Sequence, residues 1–260
     1  MFNPERASLI TCLSQLCLAL IALIAGSVAV CAQSSANGGY YARANTYSFF
    51  SAYSDDSSHI LMGAAENRKL LEFGAAYGRS LKRNRIVNWQ FNAEFLPVAL
   101  ESDPVAHYVN NQTLPTVETF YSHDIGPVGT CHQPTIQYSY VYEGVTYSGT
   151  ETITCYRRQW TIGEAFSPFG FQFNFMPRHK LQPFFILHGG YMYTTQPIPV
   201  QDAGSFNFTF DFGPGIELYR SATKSIRAEY RFHHISDRDT SQDNPGIDNG
   251  LFQLTYSFGR

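Results

Sequence analysis

The chain has 260 residues and a formal net charge of −3, so it lacks the basic excess that a nucleic-acid-binding face carries. Aromatic residues make up 15% of it, with 21 Phe and 17 Tyr, against 15% charged residues. That apolar content excludes a disordered polymer and leaves an aromatic excess that must find a place in the fold.

Residues 1–32 have the pattern of a cleaved export signal. Arg6 supplies a positive start, Leu9 to Val30 is apolar and uncharged, and Val30-Cys31-Ala32 offers a small-residue cleavage site before Gln33. A membrane-anchoring helix and a lipoprotein signal lipidated at Cys31 are the competing readings. The bulk of Val30 favours cleavage after Ala32. No later stretch has the roughly 20 uninterrupted apolar residues of a spanning helix. Residues 33–260 are therefore expected to form one domain, either a soluble exported protein or a membrane barrel.

Period-2 alternation dominates that domain. In chain order, candidate strands cover Tyr47 to Tyr53, Leu71 to Gly78, Trp89 to Phe95, Phe169 to Phe175, Leu181 to Thr194, Ser205 to Phe212, Ser225 to Ser236 and Phe252 to Phe258. The cleanest sets Phe206, Phe208, Phe210 and Phe212 on one face and Asn207, Thr209 and Asp211 on the other. Short turns at 82–85, 177–180 and 221–224 alternate with long loops at 54–67, 101–157, 196–204 and 237–250. An even strand count with alternating short and long connections predicts an all-β fold: an eight-stranded antiparallel transmembrane β-barrel of the outer membrane, with 101–157 as a long extracellular loop.

A soluble barrel would turn its apolar face inward. The polar face here is rich in Gly, Gln, Asn, Thr and Ser rather than Lys and Glu, and the apolar face is dense in Phe and Tyr. Both facts favour lipid outside and a polar lumen. Cys131 and Cys155 are the two cysteines left after the signal, and an oxidising compartment favours one disulfide between them. In the chain-entropy view it would contribute roughly 3 kcal/mol. No metal-ligand spacing accompanies them, and neither a metal nor a cofactor is expected.

The strand from Ile226 to Ser236 carries the candidate chemistry. Its lipid-facing parity runs Ile226, Ala228, Tyr230, Phe232 and continues into His234 and Ser236. Asp248 shares parity with Phe252, Leu254 and Tyr256 in the next strand, and a hairpin sets those strand ends side by side. A hydroxyl, an imidazole and a carboxylate can thus meet on the barrel's exterior near the outer leaflet. That trio suits acyl transfer, in which a base takes the hydroxyl proton and a carboxylate orients the base. The structural alternative is that these polar residues mark where the strand leaves the hydrocarbon. His233 is expected inside, with Arg227, Glu229 and Arg231, in a network reaching Glu72 or Glu94.

The segment His234-Ile235-Ser236, followed by Asn244-Pro245-Gly246-Ile247-Asp248, resembles the lipid A 3-O-deacylase (PagL) family, whose motif is His-x-Ser, an Asn eight residues on, then Gly, x and a carboxylate. The likeness covers about the last forty residues. It implies an outer-membrane esterase acting on lipid A of lipopolysaccharide, with Ser236 as nucleophile, His234 as base and Asp248 in place of a glutamate. Asn244, Asp237 and Gly246 then fall in the oxyanion and substrate-binding segment. Asp237-Arg238-Asp239 stands where the family has Asn-Ala-Gly, which implies carboxylates beside the developing oxyanion. The shorter Asp248 implies a longer contact to His234 or a backbone shift. Two further readings stay open: a structural or adhesive barrel without activity, and a phospholipase using the same chemistry. Oligomeric state is not legible.

Overall fold

A computed structural model describes residues 39–113, 118–129, 135–238 and 240–260. Among them are ten strands and no helix: β1 (Asn45–Ser54), β2 (Lys69–Arg83), β3 (Val87–Thr113), β4 (Glu118–Pro127), β5 (Ile136–Tyr142), β6 (Val145–Phe175), β7 (Leu181–Thr194), β8 (Phe206–Ser221), β9 (Lys224–Ser236) and β10 (Ile247–Gly259). Every pairing is antiparallel, and β3 pairs with β6 as well as with its chain neighbours. That extra ladder closes a ring of eight, in the order β3-β2-β1-β10-β9-β8-β7-β6. The result is an eight-stranded transmembrane barrel, and closure removes the free edges that lipid cannot satisfy.

The eight expected strands and the three short turns are all present. The expected export signal over 1–32 falls on residues outside those described.

The segment 101–157 is a correction to expectation: most of it is strand, not irregular loop. β3 and β6 run to 27 and 31 residues and stay paired out to Thr113↔Ser148. β4 adds to the outer end of β3, and β5 to that of β6, giving a four-stranded sheet β4-β3-β6-β5 that projects from the rim. Its alternation is masked in sequence because both faces are wet, so apolar and polar residues are not sorted by side. Cys155 lies in β6 opposite Ala106; Cys131, its expected partner, lies outside the described residues.

Pro97 and Pro168 sit inside register shifts, between Leu96 and Ala99 in β3 and between Phe166 and Phe169 in β6. Proline has no ladder donor, so bulges are where a strand tolerates it. Each bulge also flips the side-chain parity, which keeps Phe95, Val98, Phe166 and Phe169 all on the outside.

The exterior carries Phe49, Phe73, Phe95, Phe169, Phe208, Tyr230, Phe252 and Tyr256, all exposed. The lumen is filled by side chains, as eight strands leave no channel. Its middle is polar: Arg231 meets Glu94, Asp211 and Glu229, and His188 bridges Asp211 to Asn92. His233 faces inward as expected, and Glu94 supplies the acidic partner of that network. Nearer the long-loop end the lumen turns apolar, with Phe50, Leu96, Met192, Ile198, Ile235, Ile247 and Leu251 packed together. This plug holds the ends of β9 and β10 firmly where the candidate residues lie.

Candidate functional site on the outer wall

β9 and β10 pair in a register that sets His234 directly opposite Asp248. His234 Nδ1 lies 2.6 Å from Asp248 Oδ1. The imidazole is 13% exposed and the carboxylate 0%. The shorter acid therefore reaches the ring at full hydrogen-bond contact, because the ladder brings the two backbones together. Asp248 keeps its outward parity; it is buried because chain from outside the β9–β10 hairpin covers it.

That cover is the loop between β1 and β2. Its outgoing limb bridges Ser57 to Asn249, and its returning limb bridges Ala65 to Ile247. Ala64 N and Ala65 N donate to the carbonyls of Pro245 and Gly246 at 2.6 and 3.0 Å. Between those two feet, Leu61 N and Met62 N donate to Asp248 Oδ2 at 2.7 and 2.8 Å. Both carboxylate oxygens are thus engaged, one by the imidazole and one by the loop. Gly63 lies flat against the site: a Cβ there would stand 2.5 Å from Asp248 N and 2.9 Å from Asp248 Cγ.

Ser236 lies two residues beyond His234 on the same face of β9, about 7 Å away along the strand. Asn244 Nδ2 donates to Ser236 Oγ at 2.9 Å, and Arg238 N donates to it at 3.2 Å. Asn244 Oδ1 accepts from Asp237 N at 3.3 Å. The structure thus forms two couples on one wall, His234 with Asp248 and Ser236 with Asn244. The Ser236 hydroxyl is met by amide donors rather than by the imidazole ring.

Gly246 has φ +61, a left-handed value that favours glycine, and a Cβ there would stand 3.2 Å from His234 Cε1. Its place in the site is to let the β9–β10 loop pass close to the imidazole. Asp237 points away from Ser236, against the expectation drawn from the motif. It is fully buried, Gly204 N donates to its Oδ2 at 3.1 Å, and the Ser241 hydroxyl also donates to that oxygen. Strand alternation explains this: one residue past an outward Ser236, the side chain turns inward. Asp239 lies outside the described residues. Among the described residues no group of His, Cys, Asp and Glu could hold a metal ion.

The arrangement offers an oriented imidazole, a hydroxyl and amide donors, facing lipid. Phe210 and Phe208 on β8 pair with His234 and Ser236, and both rings are exposed. The sequence reading missed the contribution of Leu61, Met62 and Gly63. The apolar run Ile60-Leu61-Met62 inside an otherwise polar loop, followed by Gly63, was the available signal.

Residues 116–257, more than half of the chain, match the family described as Lipid A 3-O-deacylase (PagL). No curated protein matches the chain by sequence. Two solved structures resemble it in outline. The crystal structure of the outer membrane enzyme PagL is 12% identical with a TM-score of 0.46, covering 82% of this chain and 99% of that one. The crystal structure of Neisserial surface protein A (NspA) is 8% identical with a TM-score of 0.39, covering 84% of this chain and 97% of that one.

Proposed function

The chain belongs to the lipid A 3-O-deacylase (PagL) family, and on that premise we propose that it is an outer-membrane serine esterase that removes an ester-linked acyl chain from lipid A. The export signal at 1–32 would take it to that membrane. The observation that carries the reading is the 2.6 Å contact between His234 Nδ1 and Asp248 Oδ1 on the lipid-facing wall, two residues from Ser236. A carboxylate on Nδ1 fixes the tautomer that leaves Nε2 free to act as a base.

In the reaction, Ser236 Oγ attacks the acyl carbonyl carbon while His234 Nε2 takes the hydroxyl proton. Asp248 stabilises the imidazolium that forms. Asn244 Nδ2 and Arg238 N, both already directed at Ser236 Oγ, offer donors to the oxygen that becomes negative. The imidazolium then gives its proton to the departing sugar oxygen, and the C–O ester bond breaks, leaving an acyl-enzyme. Water, deprotonated by His234, attacks that ester and releases the fatty acid, and Ser236 recovers its proton. Because Asp237 is turned to Gly204 and Ser241, its charge does not oppose the oxyanion.

The test is mass spectrometry of lipid A from cells making the wild type or Ser236→Ala. Loss of one acyl chain with the wild type alone supports the reading. Loss in both strains, or in neither, counts against it, and release of fatty acid from labelled glycerophospholipid instead would make the protein a phospholipase.

A further inference from the structure

The tip of the β1–β2 loop presents three large apolar side chains outward: Ile60, Leu61 and Met62 are 45%, 65% and 60% exposed. Exposed apolar triplets on a loop are costly in water and need an apolar neighbour. The same tip supplies the two amides that hold Asp248 Oδ2. Exposure and carboxylate binding are therefore properties of one short stretch, anchored at both feet by the bridges of Ser57 and Ala65.

Its surroundings say what covers it. Asp248 keeps the parity of the lipid-facing residues Phe252 and Tyr256, so a segment lying on its carboxylate lies on the outside of the wall. On the other side of β9, the exposed Phe208 and Phe210 pair with Ser236 and His234, so the aromatic wall reaches the height of the site. Beside the loop, Lys69 Nζ and Asp55 Oδ1 form a 2.7 Å ion pair, and Tyr53 donates to the same oxygen at 2.6 Å. Charges mixed with Tyr hydroxyls and Phe rings mark the headgroup boundary, where an apolar tip has acyl chains within reach.

We infer that Ile60, Leu61 and Met62 form a lipid-inserting tip whose seating in the outer leaflet holds the loop amides on Asp248, so that contact with the membrane positions the carboxylate for His234. Leu61 and Met62 are positioning residues: they touch neither the ester nor the hydroxyl. The positioning half of this inference rests on the esterase reading; the insertion half does not. Mechanically, the backbone is pinned at Ser57, Ser58, Ala64 and Ala65, and between those points lie the amides on Asp248 and the three exposed apolar side chains. With the tip seated, both carboxylate oxygens are held and the imidazole is fixed. With the tip lifted into water, Oδ2 loses its donors and the carboxylate is free to swing.

The experiment uses the full barrel in phospholipid vesicles, with Trp89 and Trp160 replaced by Phe. A single indole is placed by Leu61→Trp, and by Tyr142→Trp on the exposed β5 as control. Acyl-brominated phospholipid should quench the Leu61→Trp indole and leave the control bright. Next, Leu61→Ser/Met62→Ser is compared with the wild type by the low-field proton resonance between His234 Nδ1 and Asp248 Oδ1. The resonance should weaken or move upfield in the variant, and kcat on vesicle-borne lipid A should fall on the order of 10²-fold, as a misplaced catalytic group does. An unquenched Leu61→Trp indole, or a resonance unchanged in the double variant, overturns the inference. Quenching with a variant-sensitive proton in a barrel that cleaves no ester would uphold insertion and defeat the esterase reading. Ester cleavage with no quenching would do the reverse.

Discussion

Arg231 on β9 and Glu94 on β3 stand four strands apart around the ring, and the Nη2–Oε1 distance of 2.9 Å joins the two sides of the barrel across its lumen. Asp211 at 3.1 Å and Glu229 at 3.2 Å complete the set around one guanidinium. Three carboxylates therefore converge on one buried guanidinium. Arg231→Leu removes it and leaves only the His188 ring beside Asp211 and Glu94, and we expect a loss of about 3–5 kcal/mol. Urea unfolding of the barrel from vesicles measures it. Adding Glu94→Leu to that variant removes one stranded charge and should recover part of the loss; a neutral single variant would show that the network contributes nothing.

The contact between His234 and Asp248 has a different character, since it lies on the outer wall and serves orientation. Asp248→Asn preserves size but offers Nδ1 an amide, which no longer selects the productive tautomer. The triad precedent puts such a change at about 10⁴-fold in kcat. Asp248→Glu should also lower activity, because the carboxylate is fully buried under Leu61, Met62 and Gly63 and the added methylene has no space. Initial rates on lipid A in vesicles decide both. Full activity in Asp248→Asn would remove this residue from the mechanism.

Gly246 tests how closely the β9–β10 loop must approach the ring. Gly246→Ala meets two penalties at once: a left-handed φ of +61 and a Cβ 3.2 Å from His234 Cε1. The conformational part costs about 1–2 kcal/mol. The displaced imidazole should lower kcat more than the stability loss accounts for, while the KM for lipid A stays near that of the wild type. Parallel unfolding and rate measurements separate the two effects, and an active, equally stable variant would contradict them.

Arg238 provides a stabilising counterpart. It holds φ +58 without being glycine, and its amide donates to Ser236 Oγ at 3.2 Å. Arg238→Gly relieves the left-handed strain while keeping the amide, so stability should rise by about 1 kcal/mol with the donor intact. A fall in the urea midpoint would mean that the exposed guanidinium holds the loop in a way the backbone does not.

The features legible in the sequence were those with a short period or a short range. Alternation in Phe206 to Phe212 and in Phe252 to Phe258 marked strands whose two faces meet lipid and lumen, an environment that sorts residues strictly. His234, Ser236 and Asp248 were legible for the same reason: parity in β9 and β10 determined their side of the wall, and the hairpin register their nearness. Asp237 was read wrongly at the level of its charge because the motif names a position, while alternation turns its side chain inward to Gly204. Leu61 and Met62 act through backbone amides, which every residue possesses, from more than 180 positions away from Asp248. The apolar run Ile60-Leu61-Met62 marks the loop tip, but no side-chain pattern reports which carboxylate its amides meet. The outer ends of β3 and β6 escaped notice because a sheet wetted on both faces has no apolar side to reveal its period.

That projecting sheet should be removable without opening the ring. The barrel closes through the β3–β6 ladder from Val87↔Phe175 to Ser102↔Trp160, and β4 and β5 contribute no wall strand. Joining Pro104 to Arg158 by a two-residue Asn-Gly turn should therefore leave a closed barrel. The truncation does remove contacts with the β1–β2 loop, among them Glu66 N to the Gly129 carbonyl at 3.0 Å, together with the buried Val105 and Ala106. Arg68, fully buried, donates to Asp103 Oδ1 at 2.9 Å and also to the carbonyls of Val128 and Gly129 at 2.6 and 3.1 Å. Those two carbonyls would be replaced by water, at a cost of about 1–3 kcal/mol. The shortened chain should still migrate as a compact, heat-modifiable band and keep the His234–Asp248 resonance. Failure to fold would show instead that the barrel needs its projecting sheet to close, because β3 and β6 would then have to pair from the outer end inward.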